Sequence, residues 1–282
     1  MRASLIALAL IAALAGCQHA PARQPAAAGA VAAHDNLNAV AWMQRSAEYA
    51  ATASTVFQAA AMQLPQAVAD PDWNALVPGD RGPQATLPPA IILDLDETVL
   101  DNSPYQARMI RDRQAFADAS WRAWVEERGA GAIPGAVPFL QAAQRAGVAV
   151  FYVSNRDHDQ NAATAAVLQR LGAPVAAGAI LGKGMQVDGC SQASASDKTC
   201  RRRWVGARHR VVMQFGDALG DFLQPASNRP DARREALAPY QGWFGSRWWM
   251  LPNPSYGAWE GSLLGDAPAP LQRQRKLDQL SY

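Results

Sequence analysis

The sequence predicts an α/β fold, a mostly parallel sheet covered on both faces by helices, with an N-terminal helix and a small helical cap insertion. Three short apolar runs, Ala90 to Leu95, Val148 to Val153 and Arg210 to Phe215, read as strands buried on both sides. Helical patterns lie between them, including Val137 to Arg145 after Pro134-Gly135, and Asp159 to Leu171 before Gly172. Strands alternating with helices make a parallel sheet. The chain has 282 residues, 49% hydrophobic and 18% charged, enough for one substantial core with or without a small appendage, which excludes disorder throughout.

Taken in order, Met1-Arg2, the apolar run Leu5 to Leu14 and the small residues before Cys17 read as a secretory signal, residues 1–16. Leu14-Ala-Gly-Cys17 resembles the bacterial lipobox, in which the cysteine is lipidated and becomes the first residue of the mature protein. The alternative is an ordinary signal peptide that contains a cysteine. The run is too short for a stable transmembrane helix. Gln18, where an aspartate would favour inner-membrane retention, points by resemblance to lipoprotein sorting toward the outer membrane. Residues 17–34, rich in Ala, Pro and Gln, form a flexible tether. The formal charge is +2, and removing Arg2 with the leader leaves 25 basic residues against 24 acidic, so there is no electrostatic case for nucleic acid.

The folded domain is expected over residues 35–265, followed by a tail, 266–282, whose sequence suggests no structure. Val40, Met43, Ala47, Ala50, Ser54, Phe57 and Ala61 recur at helical steps, predicting one amphipathic helix capped by Asp35 or Asn36 and ended by Pro65. That pattern is core packing. A Pro/Gly-rich connection, 78–89, leads to the first strand. The stretch 101–132, longer than a minimal connection, reads as a helical insertion over the carboxyl end of the sheet, where open parallel sheets bind ligands. Cys190 and Cys200 lie in a Gly/Ser-rich stretch and are expected to pair in an oxidising compartment, two free thiols being the alternative.

The chemistry concentrates at strand ends. Asp94 closes the first run, followed by Asp96, Glu97, Thr98 and Asp101. Acids gathered on a buried strand repel one another and are costly to desolvate, and a divalent cation is the simplest compensation. Carboxylate, carbonyl and water oxygens are what magnesium prefers, although strand ends also carry turn-forming aspartates. The second run ends Val153-Ser-Asn-Arg156, where the Ser154 hydroxyl and nearby amides suit a phosphate oxygen, or a helix N-cap. The third ends Gly216-Asp217, with Asp221 four residues on, a spacing that lets two carboxylates converge if a helical turn begins at Asp217. Lys198 offers a cation for a transferring phosphoryl group.

Longer motifs carry a resemblance: Trp42-Met-Gln-Arg-Ser-Ala-Glu-Tyr49, Asp94-Leu-Asp-Glu-Thr-Val-Leu-Asp-Asn-Ser103, Ile133-Pro-Gly-Ala136, Tyr152-Val-Ser-Asn-Arg156, Gly216-Asp217 with Asp221-Phe222, and Leu251-Pro-Asn-Pro-Ser-Tyr-Gly-Ala-Trp-Glu260. Over roughly residues 36–262 the chain resembles the class C nonspecific acid phosphatases, the lipoprotein e family of the haloacid dehalogenase (HAD) superfamily. The resemblance implies a HAD-like Rossmannoid sheet and Mg²⁺. It makes Asp94 the nucleophile that forms an aspartyl phosphate, and Asp96 the general acid and then base, with its backbone carbonyl on the metal. Ser154, Asn155 and Lys198 would hold phosphate, and Asp217 and Asp221 would hold the metal, alongside Asp94. Tyr105, Trp121 and Tyr256 would surround the leaving group, so that nucleoside monophosphates, nicotinamide mononucleotide and aromatic phosphates are substrates, cleaved at the cell surface or in the periplasm. A homodimer is also implied.

Two departures stand out. Ala218 replaces the family's usual Asn after Gly216-Asp217, and residues 182–200 differ from the family's lysine-rich text, which leaves Lys183 as a rival to Lys198. Lys198 is preferred because Arg201 and the distance to Asp217 match. Phosphotransfer to an alcohol, or a ligand-binding lipoprotein, for example for haem, with vestigial activity, are the competing functions. The second sits poorly with four histidines, two of them, His19 and His34, in the tether.

Overall fold

The computed structural model describes residues 35–82, 86–186 and 196–281. The signal, the tether with Cys17, and Cys190 lie outside them. Cys200, in the first turn of a helix, is disulfide-bonded.

The strands are β1 (Pro89–Leu93), β2 (Leu100–Asp101), β3 (Gly131–Ala132), β4 (Ala149–Asp157), β5 (Ile180–Lys183), β6 (Arg210–Gly216) and β7 (Trp248–Met250). Five of them form one sheet in the order β5-β4-β1-β6-β7, every pair parallel. From β1 the chain steps outward through β4 to β5, then returns to the other side of β1 for β6 and β7. The order therefore reverses at β1, which opens a crevice at the carboxyl ends there.

Both faces of the central strands are buried, as near-continuous apolar runs require. Ile91 and Leu93 face one core and Ala90 and Ile92 the other. The first core is closed by α2 (Ala47–Ala69), α5 (Ala136–Arg145) and α6 (Asn161–Arg170). Its centre is a cluster of rings in which Phe215 of β6 lies 4.8 Å from Phe139 and 5.6 Å from Phe57. The second core gathers Leu76, Val205 of α7 (Thr199–Gly206), Phe222 and the fully buried Trp248, with Leu237 of α8 (Pro230–Leu237) packed against it. Arg210, at the foot of β6, donates to the carbonyls of Ala67, Val68, Asp70 and Trp73, closing the carboxyl end of α2 onto the sheet.

The N-terminal helix is two helices, α1 (Leu37–Arg45) and α2, and not one. Ser46 is extended (φ −85°, ψ 140°) and its hydroxyl accepts from the Tyr49 amide, so it ends one helix and caps the next. The break shifts the apolar face: Tyr49, Ala53, Phe57, Ala60, Leu64 and Ala67 are buried, while Ala47 and Ala61 are exposed. Pro65 does not end the run, which continues to Ala69.

The stretch 101–132 carries α3 (Ser103–Asp112) and α4 (Asp118–Glu127), tied at its base by the antiparallel β2/β3 pair. The C-terminal segment carries α9 (Ala258–Leu264) and α10 (Ala269–Leu277), and Lys276 of α10 pairs with Glu260 at 2.6 Å. Among the described residues no helix is long and apolar enough to cross a membrane.

Candidate active site

The ladder of β1 ends when the Asp94 amide donates to the Phe215 carbonyl at 3.0 Å. The chain then wraps around the Leu95 carbonyl, which accepts from the amides of Thr98, Val99 and Leu100. That turn forces Glu97 into the left-handed region (φ 59°), a cost of about 1 kcal/mol or more for a side chain that must also be buried. The surroundings offset it. The Glu97 carboxylate accepts from the Asn102 amide at 2.8 Å and from the Tyr256 hydroxyl.

Carboxylate oxygens of Asp94, Asp217 and Asp221 lie within 4.8 Å of one another. Asp217 follows β6, and a single 3-10 turn, Leu219–Asp221, returns Asp221 beside it, where it accepts from the Ala218 amide at 2.9 Å. Gly216 makes this possible, because a Cβ there would lie 2.3 Å from Asp221 Oδ2. Lys198, buried at the start of α7, reaches in from the side. Its ammonium contacts Asp94 Oδ1 and stands 2.6 Å from Asp221 Oδ1. Burial pushes Asp94 up to about 7, against the pull of Lys198 and with the help of Asp221 and Asp96. Burial likewise raises Asp217 well above the carboxylate range and Glu97 to about 8. Lys198 moves the other way: burial alone would lower it, but Asp221 and Asp94 carry it to about 12.

These shifts describe a site short of positive charge. Asp94, Asp96, Glu97, Asp217 and Asp221 crowd together, and acidic neighbours add to the upward push of burial on Asp94, Glu97 and Asp217. An all-oxygen donor set crowded in this way fits a hard divalent cation held by Asp94, Asp217 and Asp221.

Ser154 is fully buried at the end of β4, and its Oγ accepts from the Arg156 amide at 3.1 Å. Asn155 is exposed and tied down at both ends of its amide, donating to the Ser196 carbonyl at 3.1 Å and accepting from Arg201 at 2.7 Å. Arg201 also donates to the Ser154 carbonyl, and burial lowers it to about 10. It thus ties the Ser154-Asn155 tip to α7, the helix that carries Lys198. Lys183, the rival lysine, pairs instead with Asp157 at 2.9 Å.

Asp96 is held by two residues on one oxygen, Oδ1, with Asn102 Nδ2 at 2.9 Å and the Arg156 guanidinium at 2.9 Å (Nε) and 2.8 Å (Nη2). Tyr105 is buried, its hydroxyl 2.9 Å from Ser120 Oγ and its ring packed edge-on to Trp121 at 5.2 Å. Trp121 in turn lies 5.7 Å from the Arg156 guanidinium, and Tyr256 reaches Glu97, so these two aromatics contact the immediate neighbours of Asp96 while the Tyr105 ring packs behind Trp121. Ala218 has no side-chain donor, and Asp217 accepts from Asn253 Nδ2 at 2.8 Å and from the Thr98 hydroxyl at 3.4 Å. Asn102, Arg156 and Asn253 stand inside the longer sequence motifs and Arg201 beside Lys198, but nothing local in the sequence marks any of them as a partner in this site.

A family model described as HAD superfamily, subfamily IIIB (acid phosphatase) matches residues 6–259. The chain belongs to this family. Two solved structures of the class C acid phosphatase from Bacillus anthracis, one of them with tungstate bound, are each 31% identical, with a TM-score of 0.74. Each match covers 88% of this chain and 97% of the other. The protein is an acid phosphatase that hydrolyses phosphomonoesters on a HAD-type α/β fold, and the site described above lies at the carboxyl ends of its parallel strands.

Proposed function

We propose that the acid phosphatase is Mg²⁺-dependent and works through an aspartyl phosphate at Asp94. The observation that carries this reading is the cluster of Asp94, Asp217 and Asp221 against the buried Lys198. A bound magnesium ion would neutralise charge on the carboxylates and on the phosphoryl oxygens. Asp94 attacks phosphorus, the ester P–O bond breaks, and the departing alkoxide takes a proton from Asp96. Asp96 then removes a proton from a water that attacks the same phosphorus, which frees Asp94 and releases inorganic phosphate. Asp96 Oδ1 is occupied by Asn102 and Arg156, which leaves Oδ2 for the proton. Lys198 spends two of its three N–H donors on Asp94 and Asp221, leaving one for a phosphate oxygen beside the Ser154 hydroxyl and Asn155. Tungstate is an oxyanion, and its presence in the relative fits such a pocket.

On the same reading Tyr105, Trp121 and Tyr256 contact an aromatic leaving group. Nucleoside monophosphates, nicotinamide mononucleotide and aromatic phosphates are then substrates, and the activity includes that of a 5'-nucleotidase. Cys17 carries the lipid that anchors a homodimeric enzyme to the outer membrane, facing the periplasm or the cell surface, and Cys190 pairs with Cys200. The test is a panel of phosphomonoesters assayed with Mg²⁺ and with EDTA, beside Asp94→Asn. Turnover that survives EDTA overturns the metal requirement, and equal turnover by the variant overturns the nucleophile.

A further inference from the structure

Asn102 sits between β2 and α3 with every polar atom of its side chain engaged. Its Oδ1 accepts from Trp124 Nε1 at 2.9 Å and from Arg156 Nη2 at 3.2 Å. An indole N–H and a guanidinium can only donate, so these two partners determine which end of the amide is oxygen. Nδ2 is thereby committed to donating, and its acceptor at 2.9 Å is Asp96 Oδ1. The backbone N–H of Asn102 donates in turn to Glu97 Oε1 at 2.8 Å, and the residue is fully buried.

Trp124 is itself locked. Gly129 lies on its ring so closely that a Cβ would come within 2.8 Å of the indole, and the Arg108 guanidinium stacks 5.5 Å from the ring. Arg156, the other donor to Asp96, is fully buried and lies against Trp121. Both donors that hold the Asp96 carboxyl are thus oriented by tryptophans of α4, the second helix of the insertion.

We propose that Asn102 is a positioning residue for proton transfer by Asp96, and that Trp124 acts through it by fixing its amide, so that α4 aims the acid at the leaving oxygen. This inference rests on the reading of Asp96 as general acid. A carboxyl that lost the Asn102 donor would keep Arg156 but would be free to swing about it. Proton delivery suffers most where the leaving alkoxide is most basic, so the defect discriminates between esters in a way that a general loss of structure does not.

The test compares kcat/KM for an alkyl phosphate and for 4-nitrophenyl phosphate, a reactive aryl ester, in Asn102→Ala, Trp124→Phe and Asp96→Asn. Trp124→Phe keeps an aromatic ring and loses the N–H donor together with part of the ring that packs against Gly129, so it carries the test if Asn102→Ala fails to fold, the contrast between the two esters separating the lost donor from the lost packing. Asn102→Ala is expected to slow the alkyl ester roughly 10- to 100-fold, as for a lost charge-assisted hydrogen bond, and the aryl ester by less than about threefold. Trp124→Phe is expected to show the same preference at smaller size. Asp96→Asn discriminating between the esters while Asn102→Ala and Trp124→Phe slow both equally overturns the positioning role. Asp96→Asn slowing both esters equally removes the acid assignment instead, and the positioning role with it.

Discussion

Replacing Gly216 by Ala adds one methyl group at the end of β6, and the structure has no room for it. The new Cβ would lie 2.3 Å from Asp221 Oδ2, 2.4 Å from its Cβ and 2.6 Å from its Cγ, so Asp221 must move. Movement breaks its 2.9 Å bond from the Ala218 amide and its 2.6 Å contact with Lys198, and leaves a buried ammonium with Asp94 alone. Overpacking a tight site costs about 1 to 3 kcal/mol and separating a buried pair about 3 to 5, and the two overlap, so we expect a loss of about 3 to 5 kcal/mol. Urea unfolding of the metal-free protein measures it, and a parallel Mg²⁺ titration is expected to show weakened binding. The background Asp221→Gly removes the three nearest atoms that the methyl group meets, and there Gly216→Ala is expected to cost about 1 kcal/mol or less, exposing the coupling. A loss under about 1 kcal/mol in the wild-type background, with unchanged Mg²⁺ affinity, refutes the reasoning.

Lys198→Ala is expected to lower kcat/KM at least 100-fold, the order lost with one charge-stabilising donor, while Lys183→Ala, whose partner is Asp157, stays within about threefold. Without metal, stability is expected to fall as pH rises, because Asp94 and Glu97 hold protons in the folded state to about 7 and about 8, against 3.8 and 4.5 ordinarily. Between those limits the slope is up to about 1.4 kcal/mol per pH unit for each group, and saturating Mg²⁺, which binds the deprotonated site, is expected to flatten it; urea midpoints across that range, with EDTA and with Mg²⁺, read both. Tyr256→Phe strips the hydroxyl from the buried Glu97 and is expected to destabilise by about 1 to 3 kcal/mol, measured by chemical denaturation.

The legible parts of the fold are those with long local patterns. β1, β4 and β6 are runs of buried aliphatic and aromatic residues, and their alternation with helices specifies the parallel sheet. β5 and β7, four and three residues long at the sheet's edges, are too short to show a period. The break at Ser46 is invisible to a stripe of apolar residues, because the residues before and after it still recur at helical steps, on faces offset from one another. The tail's α10 is held by ion pairs of Lys276 and not by an apolar face, so its pattern predicts nothing.

Much the same division holds in the site. Asp94, Ser154, Asp217 and Asp221 are read from where each strand ends, and Lys198 from its place before β6. The residues that orient them are partners only in space: Arg156 meets Asp96 across 60 positions, Lys198 meets Asp94 across 104, and Tyr256 meets Glu97 across 159. A buried arginine and a solvated one are the same letter. Trp124 shows the limit most clearly, since its ring packs in the core while its N–H donates to Asn102, 22 positions away.

A covalent intermediate at Asp94 is sought by rapid acid quench of Asp96→Asn with 4-nitrophenyl phosphate labelled in its phosphoryl group. Its leaving group needs no proton, while the variant lacks the base that would activate the attacking water, so the phosphoenzyme is expected to accumulate. The account predicts label on the peptide that contains Asp94, and none when Asp94→Asn is added. Release of labelled phosphate with no protein-bound label at any time, or label on another residue, would contradict it.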